Sequence, residues 1–194
     1  MLMTNENVRL YPHDRFLKGN LLRLIPSWVK PNQLTMGRFL LVPLVLTALT
    51  DRLWGWGLGL FLLAGLTDVL DGSLARTRKQ ITMWGTVADP IADKALVGSV
   101  ALLFVADQIH PLFAGVLVLL ELAIMAGAYF RFRRRRVYTS ANIFGKVKMG
   151  LQTLGVVLLL ANQFIAIPYA IPLAIIIFGF ALVLAVISFV TYSL

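Results

Sequence analysis

Four aspartates, Asp68, Asp71, Asp89 and Asp93, stand inside apolar stretches of a 194-residue chain that has only nine acidic residues. An aspartate deep in a bilayer costs on the order of 2.5–3.5 kcal/mol even on a lenient insertion scale, so four together require a compensating partner. On a helix, Asp68, Asp71, Gly72 and Ala75 fall at i, i+3, i+4 and i+7 and share one face. Gly85, Asp89 and Asp93, at i, i+4 and i+8, share another. The turn from Thr77 to Met83 is short, which makes the two helices antiparallel neighbours and brings both stripes to the same end. Carboxylates so close repel or share protons unless cations lie among them. The chain has no cysteine and no histidine nearby, so a metal here takes hard oxygen ligands, which favours Mg²⁺ or Mn²⁺. Two such ions would balance the four charges and suit phosphoryl transfer. Arg76, one position past the first stripe, is placed to hold a phosphate. Ion pairs with Lys94, Arg76 and Arg78 are a weaker account of the cluster, because buried pairs rarely add stability.

The elements that must position these residues are membrane helices. The hydrophobic fraction is 59%, too high for a soluble domain of this size. A bilayer core of about 30 Å asks for roughly 20 apolar residues per helix. The pattern predicts an all-α membrane protein with six transmembrane spans, Leu34–Thr50, Trp54–Ala75, Gly85–Ala106, Leu112–Phe130, Val147–Ile165 and Ile171–Tyr192. Residues 1–33 are expected to form a cytoplasmic interfacial segment, and 34–194 a six-helix catalytic domain. Phe16, Leu17, Leu21, Leu22, Leu24, Ile25, Trp28 and Val29 alternate with Lys18, Asn20, Arg23 and Lys30, which suits either an amphipathic juxtamembrane helix in the headgroup layer or a plain segment anchored by Trp28.

The formal charge of +9 is asymmetric. Apart from Arg52, every Lys and Arg falls on or near one side of such a threading, the cytoplasmic side by the positive-inside rule. The expected partners are therefore anionic lipid headgroups and phosphorylated substrates rather than nucleic acid. The expected location is the cell membrane, multi-pass, with the active site facing the cytoplasm, and residues 1–33 do not read as a secretory signal. Gly55 and Gly59, four apart, mark a close helix crossing, either within the chain or in a homodimer. His13 and His110 are isolated, which suits solvated or interfacial side chains.

Asp68-x2-Asp71-Gly72-x2-Ala75-Arg76-x8-Gly85-x3-Asp89-x3-Asp93 resembles the complete signature of the CDP-alcohol phosphotransferase family. Pro31-Asn32-Gln33-Leu34-Thr35-Met36-Gly37-Arg38 resembles the entry to the first span of such enzymes, and Gly145-Lys146-Val147-Lys148 the start of the fifth. The resemblance implies metal-dependent displacement of CMP from a CDP-linked lipid by an alcohol at the cytoplasmic face. Carried over by position, Asp68, Asp71 and Asp89 would be metal ligands, with Asp93 completing the site and acting as general base. Gly72, Ala75 and Gly85 would leave room for the cytidine diphosphate, while Asn32 and Arg76 would contact it, assisted by Thr35. Asp68 would serve both metal and donor.

For the acceptor, Arg131 and Arg133 to Arg136, with Lys146 and Lys148, form a basic arc between spans four and five. Arg131 and Lys146 abut helix ends and, with Lys148, are the expected acceptor-binding residues; the run Arg133 to Arg136 reads rather as a topology signal and lipid-headgroup anchor. A phosphorylated alcohol follows, first glycerol 3-phosphate, then inositol phosphate. Glycerophosphate-using relatives commonly carry an Arg-Glu pair in span four, and here Leu120 precedes Glu121. Glu121 is then either a remnant of that site or an acid packed against Arg38, and cardiolipin synthesis stays open. In a different class, a metal-dependent membrane transporter would also gather acids in a bundle, but with polar breaks near the bilayer middle.

Overall fold

The computed structural model describes Leu22, Ile25, Pro26 and residues 28–135 and 143–193; the side chains of Met83, 128–135 and 192–193 are not among them. The described residues form six helices and no strand: α1 Pro31–Thr50, α2 Trp54–Thr77, α3 Met83–Gln108, α4 Pro111–Arg135, α5 Ile143–Ala161 and α6 Ala170–Ser193. Four segments, Pro31–Thr50, Trp54–Thr77, Ile143–Ala161 and Ala170–Thr191, are long and apolar enough to cross a membrane, which makes this a multi-pass membrane protein. α3 is longer still, but Asp89, Asp93 and Lys94 interrupt its first half; in α4 the apolar part, Pro111–Gly127, is shorter. Lipid as solvent also explains the outer faces, where Leu40, Leu44, Trp56, Leu62, Leu119 and Phe180 are exposed.

The helices lie close to the segments expected from hydropathy, with three larger differences, one of which is that α4 runs on past Phe130 to Arg135. α1 begins three residues early because Pro31 sits at its first position, where a missing N–H is harmless, and Gln33 Oε1 accepts the Lys30 N–H at 2.8 Å. α5 is displaced toward its N-terminus and stops at Ala161, since Asn162 Oδ1 accepts the Ile167 N–H at 3.0 Å and closes the following turn. The interfacial helix expected before α1 lies largely outside the described residues; just ahead of α1 the Val29 N–H donates to the Pro26 carbonyl at 3.1 Å.

The chain divides into two compact units, up to Leu96 and from Val97. In the first, α1 packs along α2, with Val45, Leu49, Phe61, Ala64 and Leu74 buried. α1 and α2 both end in the six-to-one and five-to-two hydrogen-bond pair of a Schellman cap: Leu53 N–H to Ala48 O and Arg52 N–H to Leu49 O, then Gln80 N–H to Ala75 O and Lys79 N–H to Arg76 O. Arg52 and Lys79 take the left-handed position, at φ 59° and 54°. Gly57 allows Leu49 to lie against α2, for a Cβ there would fall 2.2 Å from Leu49 Cδ2. Gly55 and Gly59, on either side of it, have open space where a Cβ would stand, with nothing within 4 Å among the described residues.

In the second unit α6 packs on α5 and α4. His110 is exposed, as expected, and its Nδ1 accepts the Leu112 N–H at 3.2 Å, which caps the start of α4 ahead of Pro111. The α5–α6 seam rests on Gly155, where a Cβ would come within 2.8 Å of two ring carbons of the fully buried Phe178. Gly155→Ala should therefore destabilise the seam. Overpacking costs about 1–3 kcal/mol and outweighs the roughly 1 kcal/mol that alanine gains in a helix. Gly179→Ala, with open space around it, should be neutral or stabilising. Melting curves of the two variants in the same detergent check this, and equal melting temperatures would refute it.

Candidate active site

The site is built where α1, α2 and the start of α3 meet. Arg38, on α1, has no exposed side-chain surface, and its guanidinium gathers carboxylates from two other helices. Nη1 lies 2.8 Å from Asp68 Oδ1 and 2.5 Å from Asp93 Oδ1, and Nη2 lies 2.5 Å from Asp71 Oδ2. One turn back on α1, the buried Thr35 hydroxyl lies 2.7 Å from Asp89 Oδ1 and 3.2 Å from Asp71 Oδ2. The four acids are thus one contiguous cluster, linked through Arg38 and Thr35 with Asp71 common to both. The helical spacing expected of both stripes is what lets α1 reach them.

Exposure grades the cluster. The Asp71 side chain is 2% exposed, while Asp68 and Asp93 keep 40% and 24%. Asp68 and Asp93 can therefore meet a substrate, whereas Asp71 serves from below. A buried arginine among acids also explains how they are tolerated at a helix end, since an isolated buried charge costs several kcal/mol. Its Nε is buried without a hydrogen-bond partner, so the guanidinium is committed through its two terminal nitrogens.

The oxygens of the cluster are hard carboxylate and hydroxyl donors, which fit Mg²⁺ or Mn²⁺. They surround the guanidinium, and among the described residues no three Asp, Glu, His or Cys converge on a single metal position. The chemistry of the donors fits the ions; a bound ion and Arg38 would share the same carboxylates.

The remaining expected site residues divide by place. The guanidinium of Arg76 folds back along α2, so that a Cβ at Gly72 would sit 3.4 Å from its Nη1. Asn32 and Gly85 lie together: a Cβ at Gly85 would be 3.1 Å from Asn32 Oδ1. Ala75 is half-buried on the face of α2 that carries the acids. On the other unit, Lys148 is 4% exposed and donates to Glu121 Oε2, while Lys146 is exposed. Glu121 therefore pairs with Lys148 within its own unit. Arg131 is in α4, with its side chain outside the described residues, as is the side chain of each residue from Arg133 to Arg136.

Three contributors went unassigned in the sequence. Arg38 stands in the sequence as part of a motif and as a contact considered for Glu121, with no place in the acid cluster, although a cation just inside an apolar span is itself a signal. Thr82, in the turn before α3, donates from its hydroxyl to Asn32 Oδ1 at 2.9 Å. Arg78 looked like a topology charge, yet its guanidinium reaches the carbonyls of Val29 and Ile25 at 2.8 Å each and that of Pro26 at 3.3 Å, which ties the entry of α1 to the end of α2. Nothing in the local pattern marks either contact.

Residues 28–189 match a family model described as CDP-alcohol phosphatidyltransferase. A chloroplastic CDP-diacylglycerol–glycerol-3-phosphate 3-phosphatidyltransferase of Oryza sativa is 33% identical over 102 residues, 52% of this chain and 31% of the rice protein. The chain thus spans under a third of that relative. The Bacillus subtilis protein of the same activity name is 28% identical over 159 residues, 72% of this chain and 82% of its own length. A human cardiolipin synthase (CMP-forming) is 32% identical over 113 residues, 58% of this chain and 38% of the human one.

Proposed function

Because the chain belongs to the CDP-alcohol phosphatidyltransferase family, we propose that it moves the phosphatidyl group of CDP-diacylglycerol onto glycerol 3-phosphate and releases CMP. The observation that carries the reading is the cluster of four carboxylates, drawn from two helices onto Arg38 and Thr35 of a third. The reaction forms a bond from the acceptor hydroxyl oxygen to the lipid-side phosphorus and breaks that phosphorus's bond to the bridging pyrophosphate oxygen, which leaves with CMP. The hydroxyl proton passes to the partly exposed carboxylate of Asp93, acting as general base. Two Mg²⁺ or Mn²⁺ ions held by Asp68, Asp71, Asp89 and Asp93 would offset charge on the donor phosphates and the departing CMP. Arg76 adds fixed positive charge to the same face. Gly72, Ala75 and Gly85 keep that face free of bulk, and Asn32 and Thr35 complete the donor side with Asp68.

Glycerol 3-phosphate is preferred because the relative matched over most of its own length bears that acceptor in its name, while the cardiolipin synthase is matched over a minor part. Arg131, Lys146 and Lys148 are the residues assigned to the acceptor phosphate. Six spans, an amphipathic segment within 1–33 ahead of a catalytic domain over 34–194, a cytoplasmic site in the cell membrane, and a homodimer belong to the same reading, supported by the charge asymmetry and by the open glycines Gly55 and Gly59.

The test is CMP release from CDP-diacylglycerol by the purified chain in detergent with Mg²⁺ or Mn²⁺. The acceptors to compare are glycerol 3-phosphate, inositol phosphate and phosphatidylglycerol. Release that needs metal and glycerol 3-phosphate is expected. Release with phosphatidylglycerol alone would move the assignment to cardiolipin synthesis, and folded protein that neither binds the donor nor releases CMP would overturn it.

A further inference from the structure

We propose that Thr82 is a positioning residue that sets the polarity of Asn32 toward the CDP-linked donor. The inference rests on the reading of Asn32 as a donor-binding residue. Thr82 precedes the first residue of α3, and its Oγ1 accepts the Gly85 N–H at 3.0 Å, an N-cap that satisfies one of the orphan donors at the helix start. The same hydroxyl donates its single proton to Asn32 Oδ1 at 2.9 Å. A relay thus runs in one direction, from the backbone N–H of Gly85 through the Thr82 hydroxyl to the carbonyl oxygen of Asn32. Once that oxygen is engaged, the Asn32 amide is oriented to present its Nδ2 hydrogens, which are donors only. A pyrophosphate offers acceptors only, so this orientation matches it and the flipped amide would set oxygen against oxygen.

Gly85 has a place in the relay that its lack of bulk toward a ligand does not exhaust. A Cβ there would lie 3.1 Å from both Asn32 Oδ1 and Thr82 Oγ1, so a side chain at 85 would press on the relay itself. The Arg78 clamp on the carbonyls of Ile25, Pro26 and Val29 holds the chain entering α1, so Asn32 is presented to Thr82 from a fixed segment. Together they bind the start of α1 to the α2–α3 connection on both sides of Lys30.

A plain helix cap would make different predictions from a positioning residue. Thr82→Val keeps the size and loses the hydroxyl; Thr82→Ser keeps both hydrogen bonds. If Thr82 orients Asn32, the valine variant raises KM for CDP-diacylglycerol by roughly tenfold while KM for the acceptor stays put, and serine restores it to within about threefold. In an Asn32→Ala background, Thr82→Val should then add no further rise, because the group it orients is gone. The experiment is this double-mutant cycle with Thr82→Ser added, with KM for each substrate, donor binding by calorimetry and melting temperature for every variant. A lowered melting temperature with unchanged KM, or equal effects of valine with and without Asn32, would overturn the proposal and leave Thr82 a helix cap. Failure of the unmutated chain to bind CDP-diacylglycerol would overturn the donor reading instead.

Discussion

Arg38→Met is expected to lower stability by about 3–5 kcal/mol, because it strips the cation from three carboxylates and leaves the most buried of them, Asp71, unpaired. That is a large part of the roughly 5–15 kcal/mol that holds a typical protein folded. Arg38→Lys should recover only part of the loss. The guanidinium engages Asp68 and Asp93 through one nitrogen and Asp71 through the other, and an ammonium is a point charge that cannot span both. The decisive comparison is the double variant Arg38→Met with Asp71→Asn. If an unpaired buried charge is what costs stability, removing that charge should raise the melting temperature above that of Arg38→Met alone. Arg38→Met melting with the unmutated protein would refute the account.

Asp93→Asn should act on rate rather than on stability. An asparagine oxygen can still accept from Arg38 Nη1, so the fold loses little, but the amide cannot take the acceptor proton. General-base catalysis contributes about 10²–10⁴-fold, and CMP release should fall by that factor with the melting temperature nearly unchanged. Asp71→Asn makes the contrast. Its carboxylate is 2% exposed and joins Arg38 to Thr35, so its loss should reduce both rate and melting temperature. Turnover in Asp93→Asn within tenfold of the unmutated enzyme would remove Asp93 from the role of base and direct attention to Asp68, the other acid on Arg38 Nη1 with exposed surface.

The two variants bear on different sides of one arrangement. Arg38 makes the acid cluster tolerable in a folded membrane protein, and the exposed end of the cluster is where chemistry is proposed. The same guanidinium that stabilises Asp93 also fixes one of its oxygens, which limits how that carboxylate can turn toward an acceptor.

What the amino-acid sequence determined by itself was local or repetitive. Hydropathy over some 20 residues marks a helix wherever the chain is folded, so the helices appeared nearly where expected. The spacing of Asp68, Asp71 and Gly72 places them on one face because helical geometry is the same in any context. The shifted end of α5 depended on a side chain, Asn162, closing a turn that hydropathy does not register. Only the tertiary structure decided what lies opposite each face. Whether Arg38 points to lipid, water or acid follows from how α1 is rotated against α2 and α3, and no periodicity within α1 contains that rotation. Lys148 and Glu121 are 27 positions apart, and they meet because packing sets which charges pair. Thr82 reaches Asn32 across 50 residues for the same reason. Hydrogen bonds and ion pairs fall off within a few ångströms, so their partners are fixed by the packed helices rather than by position along the chain.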